Sequence, residues 1–406
     1  MRILCISNYY KPAYIYGGPV RCISELNEAL AKLDCSVTVL TTNVNGDDLL
    51  NVPLERSVDV DGVEVIYYPI TRVPPESFFY SPALAKACHE KISKFDLVVL
   101  QTMFTHTMGP AVAACQRAGV PYIVQTHGQL LPWSLQQKRI KKKVYQALVG
   151  RSYLERASAL HCTDPVEAEW IEHLGIKTPK IVIPNGVNGN YFSQLPPRGT
   201  IRRRFGISED ADLLLFLGRL HPKKRPDIAV DVLSAARSLP GETHLVLAGP
   251  DETQMAPALH AQARRLGCAD RLHIAGLLQT DEVLSALVDS DLLLMPSEPE
   301  SENFGMSALE AMAAGVPVLV SDGVPVGSWA ESFGAGRMAP CTGDAFKKAA
   351  LDLLNDPIRL KEMGSHGQAL VRQKFDIEIV ARQMLVQYQA ILSQGQPSSD
   401  LQLSEV

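Results

Sequence analysis

An alternation that occurs twice constrains this chain more than any other feature. Apolar runs of strand length lie at 2–7, 36–41, 63–67, 97–101, 121–125, 159–162 and 181–183. Between them are longer segments with helical spacing, such as 20–33, 82–94 and 109–118. Apolar strands separated by helices predict a parallel sheet covered on both faces. The series breaks at Ser193-Gln194-Leu195-Pro196-Pro197-Arg198-Gly199, which reads as a linker, and resumes at 212–217, 244–248, 271–275, 291–295 and 316–320. Two successive α/β domains follow from this, with ligands expected beyond the carboxyl ends of the strands and the facing strand ends enclosing a cleft.

The expected boundaries are 1–193 for the first domain and 194–374 for the second, then an amphipathic helix over 375–393 and a polar tail over 394–406. On that last helix Ile379, Val380, Leu385, Tyr388 and Leu392 approximate one face, which must cover apolar surface on its own domain or on the first. A chain of 406 residues suits two domains. Its net charge of -5 gives no reason to expect a nucleic-acid partner, and no zinc-finger spacing or basic-zipper repeat does so. The eight cysteines form no Cys-x-x-Cys pair, and several sit in apolar runs, as buried reduced thiols do. The opening run 3–6 is one short strand and not the h-region of a signal peptide. No apolar stretch is long enough to span a membrane.

Several residues at strand ends carry chemistry. After the run 291–295 the chain reads Pro296-Ser297-Glu298-Pro299-Glu300-Ser301-Glu302-Asn303-Phe304-Gly305, and a helix with Met306, Leu309 and Glu310 follows. The free amides at that helix start can bind an anion. Glu302 in the loop and Glu310 about two turns into the helix are either a pair of acceptors for a polyol or solvated acids at a helix start. The run 212–217 leads into Gly218-Arg219-Leu220-His221-Pro222-Lys223-Lys224-Arg225, which reads equally as a phosphate cradle or as a solvated basic loop. Gly17-Gly18 ends the loop after the first strand and would let the backbone approach a ligand. His127 ends the fifth strand beside Gly128, where a histidine is a site candidate. Asp59-Val60-Asp61 precedes Gly62 and reads as a β-turn. Lys138-Arg139-Ile140-Lys141-Lys142-Lys143 could lie against anionic headgroups or form a solvated helix face. No His/Cys cluster suggests zinc.

These motifs together resemble the retaining glycosyltransferases of the two-Rossmann-domain, or GT-B, type, and more closely their large family four. Glu302 and Glu310 have that family's separation, with Phe304-Gly305 after the first acid, then Ala311-Met312-Ala313 and Gly315-Val316-Pro317-Val318. Gly218-Arg219-Leu220 with Lys224 matches its basic motif, although Arg225 stands where glycine is usual and Lys223 is a neighbouring alternative. Ile183-Pro184-Asn185-Gly186-Val187 is a further landmark, followed by Asn188 where Asp is familiar. His127-Gly128, with Leu130 and Pro132-Trp133 beyond, resembles a subgroup of bacterial surface-polysaccharide assembly.

The resemblance implies a GT-B fold over about residues 1 to 390 and a hexosyltransferase-type enzyme. Glu302 would contact hydroxyls of the donor sugar and Glu310 the ribose, while Arg219 and Lys224 would neutralise the diphosphate. Asn303, Phe304 and Gly305 at the helix start, and Gly17 and Gly18, would complete donor binding, with Arg21 beyond them facing acceptor or phosphate. His127 would stand near the reaction centre, and the base near Gly276-Leu277-Leu278. The donor would be a UDP-sugar or GDP-mannose and the acceptor a glycan or a lipid-linked acceptor. Catalysis is expected to need no metal and no cofactor, in the cytoplasm or peripherally on the inner face of the membrane. Two other readings keep the fold: a nucleotide-sugar epimerase, disfavoured by the Glu302 and Glu310 pattern, and a non-catalytic partner, which would have lost residues that are intact here.

Overall fold

The computed structural model describes residues 1–75, 78–101, 103–136 and 150–395. The chain divides into two α/β units, one of residues 1–186 joined by the helix from Ile377, the other Val187–Asp376.

The first unit is built on strands β1 (Arg2–Ile6), β2 (Ser36–Thr42), β3 (Val44–Asn45), β4 (Asp48–Leu49), β5 (Ser57–Val60), β6 (Val63–Tyr68), β7 (Leu97–Leu100), β8 (Tyr122–Gln125), β9 (Ala159–Cys162) and β10 (Lys180–Val182). Its main sheet has the order β10-β9-β8-β7-β1-β2-β6-β5, and β3 pairs separately with β4. Every pairing in the main sheet is parallel except the β5–β6 hairpin. Side chains alternate between the faces. Ile3, Cys5, Val37, Val39, Leu97 and Val99 pack under the helices Gly18–Lys32 and Ile377–Gln394. Leu4, Ile6, Leu40, Val98, Leu100 and Val124 pack under Pro82–Lys91, Met108–Ala118 and Pro165–His173. Strand order reverses at β1 and β7, which puts the switch point of this sheet beyond their carboxyl ends.

The loop after β1 is pinned by Lys11, a buried lysine whose ammonium pairs with Glu28 on the helix Gly18–Lys32 and lies 2.9 Å from Asp61. Asp61 (φ 53) and Gly62 (φ 84) make the tight turn of the β5–β6 hairpin, and the Gly62 amide donates to Asp59 at 3.2 Å. The turn that the sequence suggests is thus made by Asp61 and Gly62, while Asp59 and Val60 belong to β5.

The second unit holds β11 (Asp212–Leu217), β12 (Thr243–Ala248), β13 (Leu272–Gly276), β14 (Leu292–Met295), β15 (Val318–Ser321) and β16 (Gly336–Ala339). They form one parallel sheet in the order β13-β12-β11-β14-β15-β16. Leu214, Phe216, Leu245, Leu247 and Leu292 form a core with Ile228, Val232 and Leu233 of the helix Pro226–Ala236. Here the order reverses between β11 and β14, whose following loops are 218–225 and 296–305.

The first unit ends at Gly186, earlier than the expected 193, and the Pro196-Pro197 segment lies inside the second unit. Two contacts account for this. The Val187 amide donates to the Phe375 carbonyl at 2.9 Å. Further on, the Asp289 carboxylate takes the amides of Ile201 at 2.6 Å and Arg202 at 3.1 Å, and the buried Arg202 guanidinium bonds the Asp289, Ser208 and Ala211 carbonyls and Asp291.

The last helix does return to the first unit, yet its buried stripe is Ile377, Val380, Ala381, Met384, Tyr388 and Ile391. Ile379 and Leu385 are half-buried and Leu392 is 40% exposed, so the expected face was rotated toward a flanking stripe. The observed set follows the i, i+3, i+4, i+7 spacing from Ile377, the first helical residue. All eight cysteines are free thiols. No described helix is long and apolar enough to cross a membrane.

The stripe predicts unequal mutational costs. Met384→Ala should destabilise the first unit by about 2–5 kcal/mol in urea unfolding, whereas Leu392→Ala should stay within about 0.5 kcal/mol. Equal costs at the two positions would contradict the observed packing.

Candidate functional site

In the second unit the switch point carries two loops that are stitched together. Loop 218–225 begins with Gly218 and ends in the short turn Pro222–Lys224, capped by His221 Nδ1 accepting the Lys223 amide at 3.2 Å. Loop 296–305 is held against it. The Glu298 amide donates to the Lys223 carbonyl at 2.7 Å, and Lys223 Nζ donates to the Ser301 carbonyl at 3.2 Å. From the other side Ser321 Oγ donates to the Ser297 carbonyl, and the Cys341 thiol to the Pro296 carbonyl at 3.2 Å.

Between the loops Lys224 Nζ lies 2.9 Å from Glu302 Oε1, with both side chains largely covered, and Ser297 Oγ donates to the same oxygen at 3.3 Å. Burial pushes the Glu302 pKa up, but Lys224 and Lys223 together outweigh it and hold the group below the ordinary carboxylate value. Burial likewise lowers Lys223, which Glu302 partly offsets. Glu302 is therefore held as an anion facing Lys224. Arg219 is more exposed and reaches Glu252 at 3.4 Å.

Arg225, which departs from the family pattern, stands at φ 51, where glycine is strain-free. The structure compensates: its guanidinium pairs with Asp227 at 2.8 Å and with Glu298 at 3.0 Å, and so ties the two loops once more.

Gly305 has φ 107 and precedes the helix Met306–Ala314. A Cβ there would lie 2.6 Å from Val326, so no other residue fits that entry. Phe304 points the other way, buried at 1% exposure and packed 5.6 Å from the Phe375 ring. Of the residues expected to bind donor, Phe304 can therefore offer only its backbone. Asn303 sits at the helix entry and Glu310 is half-buried as the fifth residue of the helix, little more than one turn in and not two.

The first unit brings together a second set. Gly17 (φ 69) caps the helix that starts at Gly18. A Cβ on Gly17 would meet nothing within 4 Å, so its dihedral and not crowding calls for glycine. Beside it Tyr16 stacks on Tyr9 at 4.5 Å, and a cavity of about 200 Å³ is lined by Tyr16, Gly46, Arg72 and Phe79 among others. A larger hollow of about 500 Å³, at Arg337, Arg359 and His366 in the second unit, contains none of the expected site residues.

His127 follows β8 at φ 46, and its Nε2 lies 2.9 Å from Gln101 Oε1 at the end of β7. With that oxygen as acceptor, Nε2 carries the proton and Nδ1 keeps its lone pair. Burial, reinforced by His161, lowers the His127 pKa to about 3. Burial also lowers His161, whose Nε2 donates to the Ile183 carbonyl at 2.9 Å, to about 4. Both rings are neutral at pH 7.

Sequence reasoning missed Ser297, Gln101, His161 and Glu167, the last a buried carboxylate bonded on either side of His127. Gln101 at a strand's carboxyl end carried a signal; Glu167 carried none, since its partners come from other loops. The basic run 138–143 lies outside the described residues. Among the described residues no three His, Cys, Asp or Glu side chains are grouped to hold a metal ion.

Two family models match in succession: the glycosyl transferase 4-like domain over residues 17–186 and the glycosyl transferases group 1 over 197–370. The chain belongs to the GT-B glycosyltransferases that these two domains define, and it is an enzyme of that class. It is 27% identical over 368 residues to the D-inositol 3-phosphate glycosyltransferase of Streptomyces bingchenggensis, covering 86% of this chain and 79% of that one. Its fold is similar to the sucrose-phosphate synthase of Thermosynechococcus elongatus (TM-score 0.76, 22% identity, 97% of this chain and 99% of that one). It is also similar to Anabaena HepE in complex with UDP and glucose (TM-score 0.74, 19% identity, 95% and 98%).

The two depressed histidines give a pH prediction. Unfolded histidine titrates near about 6.5, so from there down to the folded values the unfolded chain binds more protons. Stability from these groups is complete above that pH and is lost as pH falls toward about 4 and about 3. Thermal unfolding across this window should show a shallower slope in a His127→Asn/His161→Asn chain than in the wild type; an unchanged slope would contradict the neutral rings.

Proposed function

We propose that this enzyme is a retaining glycosyltransferase that moves a sugar from a UDP-sugar to a glycan or lipid-linked acceptor, in the cytoplasm, during assembly of a surface polysaccharide. One observation carries the reading: the Lys224–Glu302 pair at the switch point of the second sheet, next to a helix start. A lysine beside a carboxylate at that place suits a ligand that offers a diphosphate and sugar hydroxyls in adjacent positions. Capture of UDP and glucose by HepE favours UDP over GDP. GDP-mannose stays as the second donor because the strand end at Gly276, with exposed Leu277 and buried Leu278, would cradle either base.

In this reading Lys224 and Arg219, with the amides after Gly305, stabilise charge that grows on the β-phosphate as the bond to the anomeric carbon breaks. Gly17 and Gly18 supply further backbone to the phosphates. Glu302 orients the sugar, Glu310 the ribose, and Asn303 supports the helix entry. The acceptor oxygen bonds to the anomeric carbon on the face the phosphate leaves, and its proton passes to the leaving phosphate oxygen, so configuration is kept. His127, neutral, offers Nδ1 or its ring edge to sugar and acceptor, and the cavity beside Tyr16 offers the first unit's own room for an acceptor ring. None of these steps assigns work to a metal. Contact of the enzyme with anionic lipid through the basic run 138–143 belongs to the same reading.

A panel of UDP-sugars and GDP-mannose with the purified chain, read as released nucleoside diphosphate, tests this. One UDP-sugar should turn over, and Glu302→Ala and Lys224→Ala should each reduce its kcat/KM by about 10²-fold or more with the fold intact. Unchanged turnover in Glu302→Ala would sink the assignment.

A further inference from the structure

Glu167 is a buried carboxylate with no part in the steps above. It lies in the first turn of the helix Pro165–His173 and is 2% exposed. Its Oε1 accepts the Thr126 hydroxyl at 2.5 Å and the Gly128 amide at 2.9 Å. Its Oε2 accepts the Thr163 amide at 2.9 Å and the Thr163 hydroxyl at 3.3 Å. Thr126 and Gly128 are the chain neighbours of His127, so one oxygen holds the residue before the histidine by its side-chain hydroxyl and the residue after it by its backbone amide. The other oxygen fixes that grip to the end of β9.

His127 needs such a grip. It stands at φ 46 and Gly128 at φ 68, two consecutive left-handed residues. A non-glycine residue in that region persists only where its surroundings over-determine it. The Gln101 contact holds the far end of the ring at 2.9 Å, and the Glu167 bonds hold its root.

We propose that Glu167 is a positioning residue for the transfer step: it acts through His127, by bridging Thr126 and Gly128 and so fixing where the imidazole points. This rests on the assignment of His127 to that step. The chemistry of the four bonds makes the carboxylate hard to replace. All four partners present hydrogens, and two of them are backbone amides that can do nothing else. In Glu167→Gln the side-chain NH2 must face either the Gly128 amide or the Thr163 amide, donor against donor. The isosteric substitution therefore breaks the grip while leaving volume and packing nearly unchanged. Burial raises the Glu167 pKa, and the four donors oppose that rise.

The experiment is a double-mutant cycle on the full chain with the UDP-sugar that turns over: wild type, Glu167→Gln, His127→Ala and both together. Misplacing a reacting group by about 1 Å costs on the order of 10²-fold, so Glu167→Gln should lower kcat by about 10- to 100-fold with the donor KM nearly unchanged. In the His127→Ala background the same substitution should remove less than about twofold, because coupled residues are not additive. Thr126→Val, which deletes one of the four bonds and spares the carboxylate, should lower kcat in the same direction and less. Equal losses from Glu167→Gln in both backgrounds would overturn the proposal, since the residue would then be structural. No loss in His127→Ala would overturn the assignment of His127 and the proposal with it. A signal free of activity separates the two: the NMR resonance of the His127 Cε1 proton, without substrate, should move in Glu167→Gln and in Thr126→Val. A resonance unmoved in both variants overturns the proposal even where turnover falls.

Discussion

The ion pair between Lys224 and Glu302 is the interaction around which the second unit is arranged. Two opposite charges, each largely withdrawn from water, contribute little net stability on their own, yet removing one partner of such a pair is costly. Ser297, Ser321, Cys341 and both ends of Lys223 hold the two loops so that the pair forms where the strand order reverses. A polar centre kept dry and rigid at a switch point is suited to exchange partners with a ligand. A diphosphate would take the lysine, and hydroxyls would take the carboxylate, so neither charge would be left uncompensated.

Backbone conformation supports that centre. Gly305 takes a dihedral and a gap that no side chain fits, which starts the helix Met306–Ala314 at the loop carrying Glu302. Phe304 anchors the same loop from beneath by packing on Phe375. Arg225 occupies a left-handed position that glycine would fill without strain, and two carboxylates hold it there. The departure from the family pattern thus replaces backbone freedom with an extra clasp between loops. In the first unit the same logic recurs at His127, where an improbable dihedral is maintained by bonds on either side.

Much of this was legible in the sequence because parallel strands buried on both faces are apolar throughout, and their carboxyl ends sit beside the motifs. The strands missed were those without that signature. β5 is a half-exposed edge, Ser57-Val58-Asp59-Val60, and β16 reads Gly336-Arg337-Met338-Ala339. The final helix was recognised but its face was rotated, since Leu385 and Leu392 are as apolar as the residues that pack, and only the partner surface selects Met384 and Ile391. Glu302, Lys224 and His127 stood out by position. Glu167 did not, because its bond to Thr126 spans 41 positions, and Gln101 offered only its place at a strand's carboxyl end, its partner His127 lying 26 positions away.

The most direct test of the central claim is calorimetric titration of the wild type and Glu302→Gln with UDP and with the intact UDP-sugar. If Glu302 reads the sugar and Lys224 the diphosphate, the substitution frees the lysine, so UDP should bind at least as tightly as before. The UDP-sugar should lose the affinity it gains over UDP through its hydroxyls. Equal weakening of both ligands, or of UDP alone, would contradict the division of labour between the two residues.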